Sequence, residues 1–167
     1  MRLTRFLKPP QIRLELQTRT IANPDWSVER IVRETKERVL AELSDLLEAS
    51  GNVNNPKKLL TDLLNRERRA TTGIGEGIAI PHVRTMQAKR FTLAFARSRE
   101  GVEFGALDGA PVHFFFAVVA PPYDDRLYLQ VYKRIGEVFG APDAREQLMD
   151  AADEHEIIRL ISRFDEP

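Results

Sequence analysis

One stretch of this 167-residue chain brings a reactive side chain, glycines and cations together: Arg66 to His82, RERRATTGIGEGIAIPH. Its histidine follows a short apolar run, Ile78 to Ile80, and then Pro81, whose ring fixes φ and restricts how the chain enters His82. Strand ends in α/β sheets are where ligands usually bind. Neutral imidazole is nucleophilic near neutral pH, so a ring exposed there can accept a phosphoryl group or act as a general base. Gly73, Gly75 and Gly77 alternate. Without Cβ atoms, their backbone can approach an anion and direct N–H groups at it. Thr71 and Thr72 add hydroxyl donors, and Arg66, Arg68, Arg69 and Arg84 supply positive charge. Phosphoryl transfer asks mainly for positioning and charge stabilisation, and these residue types suit it at His82.

Generic motifs leave the assignment open. Gly77 is not followed by Lys-Ser/Thr, so the loop is no P-loop, and G-x-G-x-G is not the dinucleotide fingerprint. A structural histidine beside a glycine-rich turn satisfies the same pattern, as does a general base in a hydrolase, although no nucleophile or orienting acid stands out. His113, inside PVHFFFAVV, reads as a packed strand residue, and His155, inside DEHE, as a solvated one at a helix start. The three histidines have no metal-like spacing, so no metal is expected. The absence of cysteine excludes disulfides, thiol nucleophiles and thiolate metal sites. No serine sits in G-x-S-x-G.

The composition fits a soluble globular chain, with 43% hydrophobic and 30% charged residues. Lys+Arg and Asp+Glu number 25 each, which argues against a general nucleic-acid or membrane-surface binder. The longest apolar run, Phe114 to Pro122, is too short to span a bilayer, and MRLTRFLKPP has no secretory pattern. The expectation is one cytoplasmic domain over 1–167, with no direct membrane insertion.

Several elements must hold the chemistry in place. Ile12, Leu14 and Leu16 alternate with polar residues as in a half-buried strand. Ser27 caps a long helix whose stripe runs from Val28 to Leu47, with a polar gap at Thr35 and Lys36, and Gly51 stops it. Asn55-Pro56 opens a second helix that buries Leu59, Leu60, Leu63 and Leu64. A glycine-rich loop then leads to the strand Ile78 to Ile80. Phe91 to Phe95 alternates as another strand, and Val102 with Phe104 suggests a short one before the Asp108-Gly109 turn. Val112 to Ala120 is continuously apolar, the pattern of a strand buried on both faces. Helices follow over Leu127 to Phe139, Pro142 to Ala151 and Asp153 to Arg163. Interleaving of this kind predicts an α/β fold, a single domain whose mixed β-sheet is flanked by helices on both faces.

The longer pattern resembles the active-site signature of enzyme IIA domains of the phosphotransferase system, type 2, the fructose/mannitol/nitrogen class. The matching positions are Glu67, Ile74-Gly75 and Ile78-Ala79-Ile80-Pro81-His82. The Asp108-Gly109 turn, the strand ending Ala120-Pro121 and the helical C-terminus also follow in family order. The resemblance implies a phosphocarrier in which His82 accepts a phosphoryl group from an HPr-like histidine phosphocarrier protein. It then passes the group to a IIB domain, or its phosphorylation state signals to a regulatory target protein. No cofactor is implied. Arg66 aligns with a family arginine, and Thr72, Gly73 and Gly75 join it as expected phosphoryl-binding residues. Two departures stand out. Val83 follows the Pro-His where the family has a small residue. Tyr128 falls where many members carry a second active-site histidine, and a phenol there donates a hydrogen bond but carries no positive charge near pH 7. A non-catalytic regulatory module of the same fold is the alternative reading.

Overall fold

The continuous apolar run forms β6 (Val112–Ala120), which lies between neighbours on both sides. In the computed structural model, which describes residues 2–166, six strands make one mixed sheet in the order β1-β5-β6-β3-β2, and β4 pairs with β6 as well. The other strands are β1 (Ile12–Arg13), β2 (Gly73–Gly75), β3 (Ile78–Ala79), β4 (His82–Arg84) and β5 (Thr92–Val102). β5 runs antiparallel to β6, whereas β1 is parallel to β5, and β3 and β4 are parallel to β6.

Strand alternation divides the core in two. Phe114, Phe116, Val118 and Ala120 face one cluster, built with α3 (Asp125–Phe139), α4 (Pro142–Asp150) and α5 (Glu154–Phe164). Phe115, Ala117 and Val119 face the other, built with α1 (Val28–Glu48) and α2 (Pro56–Arg69). Helices therefore cover both faces, as the interleaved pattern predicts. The caps also match their residue types: Ser27 Oγ accepts from the Arg30 N–H, Asn55 Oδ1 from Lys58 and Asp153 Oδ1 from Glu156. Phe139 anchors α3, its ring stacking on Phe116 at 4.6 Å while Phe95 meets Phe116 edge-on at 5.0 Å. Each buried phenylalanine is worth about 1.5–3 kcal/mol, and each ring pair roughly 0.5–1.5 more. This anchor at the far end of α3 sets where its first turns, Tyr128 included, meet the sheet.

Three elements differ from their sequence patterns. The first strand is only Ile12–Arg13; the chain bends at Leu14 and Glu15 before the Leu16 N–H reaches the Arg97 carbonyl at 2.6 Å. The bend sends Ile12 into the α3–α5 cluster and Leu16 into the α1–α2 cluster, although strict alternation would keep them on one face. Val102 is the end of β5 rather than a separate strand, because an irregularity between Arg97 and Val102 keeps the strand paired past the break. The glycine-rich loop is a tight hairpin, β2 to β3, whose turn holds Gly75, Glu76 and Gly77 at φ of 100°, 58° and 76°. Glycine is the residue that adopts this conformation without steric cost.

Candidate functional site

His82 is positioned by an interrupted edge strand. β3 pairs Ile78 with Phe114, and β4 pairs His82 with Val118, so the chain returns to β6 in the same register after the break at Ile80-Pro81. Pro81 has no N–H, but its carbonyl accepts from Val118 at 2.8 Å and holds the break against the sheet. At this break the imidazole folds back on its own chain, and Nδ1 lies 2.6 Å from the Ile80 carbonyl. A carbonyl only accepts, so Nδ1 carries the proton and Nε2 keeps its lone pair. The half-buried ring is held below the ordinary histidine pKa. Burial is the largest cause and the Arg66 charge adds to it, while the Ile80 bond and Glu67 oppose. The result is a neutral, directed nucleophile at Nε2.

Arg66 comes from the last turn of α2, where cations suit the helix dipole. Its Nη2 is 3.4 Å from His82 Nε2, and Nη1 donates to the Ala70 carbonyl at 3.0 Å. The next residue, Glu67, holds this helix end in place. Its carboxylate accepts from Lys36 Nζ at 2.7 Å, from the Thr72 N–H at 2.9 Å and from Thr72 Oγ1 at 2.6 Å. The side chains of Lys36 and Glu67 are only 15% and 6% exposed. Breaking one member of a buried pair costs about 3–5 kcal/mol, so the network ties α1, α2 and the start of β2 together beside the imidazole.

The opposite wall comes from α3. Tyr128 and Tyr132, one turn apart, place their rings 5.5 and 4.6 Å from the imidazole. Burial pushes the Tyr128 phenol up to about 12, so it is a neutral donor at any working pH. Arg84, two residues beyond His82, lies over the Tyr128 ring at 5.5 Å and pairs with Asp125 in the first turn of α3.

The structure thus brings His82, Arg66 and Tyr128 together. It gives the other three sequence-based candidates different neighbours. Thr72 is buried against Glu67. A Cβ at Gly73 would lie 2.8 Å from Ala106 Cα, and one at Gly75 would lie 3.3 Å from Asp108 Oδ2. These glycines let the hairpin close onto the 105–109 segment. Tyr132 stands beside the ring and Lys36 holds Glu67, and the sequence pattern shows them only as part of the α3 stripe and of the polar gap in α1. The polar gap in the α1 stripe was the available signal for Lys36, because a lysine on a buried face needs a buried acid.

The geometry provides a neutral nucleophile, an adjacent guanidinium and a phenolic donor in a partly desolvated site, which suits accepting an anionic group by direct transfer. Residues 25–164 match the family described as "Phosphoenolpyruvate-dependent sugar phosphotransferase system, EIIA 2". The chain is 38% identical over 117 residues to the "PTS system fructose-specific EIIA component" of Haloferax volcanii, covering 70% of this chain and 76% of that protein. It is 36% identical over 130 residues to the "PTS system fructose-specific EIIABC component" of Bacillus subtilis, covering 78% of this chain but only about a fifth of that protein's length (20%). The crystal structure of nitrogen regulatory protein IIA-Ntr from Neisseria meningitidis superposes with a TM-score of 0.81 at 28% identity, over 95% of this chain and 98% of that one. The IIA mannitol fold from Escherichia coli, solved in complex with phosphorylated enzyme IIB, superposes at 0.73 with 20% identity over 94% of this chain and 97% of that one. Among the described residues, no helix is long and apolar enough to cross a membrane.

Proposed function

Because the chain belongs to the EIIA type 2 family of the sugar phosphotransferase system, we propose that His82 is its phosphoacceptor and that Arg66 and Tyr128 hold the transferred group. EIIA proteins are phosphotransferase components with carrier or regulatory roles. The observation that carries the residue assignment is the pairing of a fixed Nδ1–H tautomer with a guanidinium at Nε2.

The donor in this reading is an HPr-like protein carrying phosphohistidine. The Nε2 lone pair of His82 forms the new N–P bond as the bond to the donor's ring nitrogen breaks. The donor imidazole, protonated on its other nitrogen, leaves neutral with the bonding electrons. Positive charge developing on the His82 ring is shared through Nδ1–H with the Ile80 carbonyl. Arg66 and the Tyr128 hydroxyl meet the equatorial oxygens. Thr72, Gly73 and Gly75 act in support, holding the α2 end and the hairpin closed without touching phosphorus. No metal or nucleotide enters, because the donor is already an activated phosphoimidazole. The group then passes to a IIB component, or its presence is read by a regulatory target, and the chain works in the cytoplasm as one EIIA unit over 1–167. Incubation with phosphoenolpyruvate and the general phosphotransferase proteins, followed by intact mass, tests this. One added phosphate that disappears in His82→Ala is the expected result; no addition, or one that survives the substitution, overturns it.

Tyr128, at the position where many members carry a second histidine, favours one other reading, a regulatory module that binds a partner with little transfer. In that case Tyr128→His creates phosphate uptake where the wild type has none.

A further inference from the structure

We propose that Arg84 is a second phosphoryl-binding residue that exchanges partners with the state of His82. It pairs with Asp125 while the imidazole is bare and moves to the phosphoryl oxygens once His82 is charged, leaving the Asp125 carboxylate unpaired. The inference rests on His82 being the acceptor and deepens that reading by specifying how the charged state is displayed.

Three observations support it. First, Arg84 is on the right face. His82 and Arg84 pair with Val118 and Ala120, which face the α3 cluster, while Val83 between them packs against the other cluster. Two strand residues span about 6.6 Å, within the reach of an arginine side chain. Arg84 already touches the Tyr128 ring, which in turn lies against the imidazole. Arg66 and Arg84 also line one cavity of about 570 Å³, together with Lys58, Asp62 and Arg69, alongside the strand that carries His82.

Second, the present partner is weakly held. The Arg84 and Asp125 side chains are 46% and 63% exposed, and exposed pairs contribute little. A guanidinium bound to phosphate oxygens makes shorter, bidentate, charge-assisted bonds. A dianion at Nε2 should therefore win the competition.

Third, the positive charge against the ring itself is low. Among the described residues, Arg66 is the cation that meets the imidazole, one charge facing a group that carries nearly two, and the phenols of Tyr128 and Tyr132 add none. Asp125 lies between two exposed apolar residues, Tyr123 and Leu129. A protein docking there meets a neutral ion pair before transfer and a bare carboxylate after it.

The test is the equilibrium ratio of phosphorylated to free protein at a fixed ratio of phosphorylated to free donor carrier, read by intact mass. Arg84→Ala should lower the ratio about 10-fold or more, and Arg84→Lys should recover part of that loss. Asp125→Asn removes the competitor and should raise the ratio about 1.5- to 5-fold. In the Arg84→Ala background, Asp125→Asn should add nothing. A ratio unchanged or lowered by Asp125→Asn, or an equal rise in both backgrounds, overturns the exchange while leaving the acceptor intact. Wild-type protein that takes no phosphate on His82 overturns the acceptor reading, and the exchange with it.

Discussion

His82 and His113 begin alike. Each sits on a strand paired with β5 or β6, each is half-buried, and each donates Nδ1–H to a backbone carbonyl: Ile80 at 2.6 Å for one, Ser98 at 2.8 Å for the other. Both rings are therefore the same tautomer, with a lone pair on Nε2. They differ in what that lone pair meets. Around His82 stand Arg66, Tyr128 and Tyr132. His113 instead packs on glycine backbone. A Cβ placed at Gly101 would lie 2.8 Å from its Cε1 and 3.1 Å from its Nε2, and one at Gly77 would lie 3.5 Å from its Cδ2. Fixing a tautomer therefore does not make a site. The second nitrogen needs charge and donors rather than a close-packed wall.

The largest effect should separate the rings outright. His82→Ala should abolish phosphate uptake in the intact-mass assay, whereas His113→Ala should retain it in the folded fraction. Uptake lost equally in both would erase the distinction. Next in size is the cation. Arg66→Ala should slow phosphoryl acceptance about 10²- to 10³-fold in rapid-quench kinetics, the range found when one stabilising donor is removed. A loss under about threefold would mean that Arg66 does not meet the transferring group.

A third substitution addresses the packed wall around His113. Gly101 has φ of +86°, and an added methyl would meet both His113 and Pro111 Cβ at 2.9 Å or less. Gly101→Ala should cost about 1–3 kcal/mol in urea unfolding, with the folded protein still accepting phosphate at His82. An unchanged midpoint would show that the wall gives way easily.

The smallest effect is in pH. Burial and Arg66 hold His82 below the ordinary value of about 6.5, so its reactive neutral form should persist as the solution is acidified through that value. An NMR titration of the ring should show its midpoint below that of an unperturbed histidine, and Arg66→Ala should move it upward by removing a like charge. The same depression links His82 to stability. Its contribution is complete above about 6.5 and fades as pH falls through the lower folded value. A midpoint at or above the ordinary value would contradict the partly desolvated environment.

Much of this arrangement was legible in the sequence because it is local. Ser27, Asn55 and Asp153 cap their helices through hydroxyl, amide and carboxylate groups that reach N–H groups three residues on. The unbroken apolar run of β6 matches burial on both faces. Pro81 marked the end of the short apolar strand before His82, but nothing in the local pattern showed the chain resuming beside β6 as β4 from His82 onward. The bend at Leu14 and Glu15 was not legible. It depends on the Arg99 N–H reaching the Glu15 carboxylate and on the N–H groups of Gln17 and Thr18 reaching Glu42, partners far along the chain. Nor did glycine spacing reveal its use here, since what Gly73 and Gly101 make room for arrives from residues 106 and 113.

By itself the sequence determined the order and type of most elements and the two-sided core, because periodicity and caps act within a few residues; His82 stood out through the resemblance carried by Ile78-Ala79-Ile80-Pro81-His82. Only the tertiary structure decided which guanidinium lies against Nε2, that Lys36 and Glu67 fix the helix carrying it, and that Arg84 is tied to Asp125. Those choices join side chains 16 to 41 residues apart. They follow from how α1, α2 and α3 pack on opposite faces of one sheet, which no local spacing encodes.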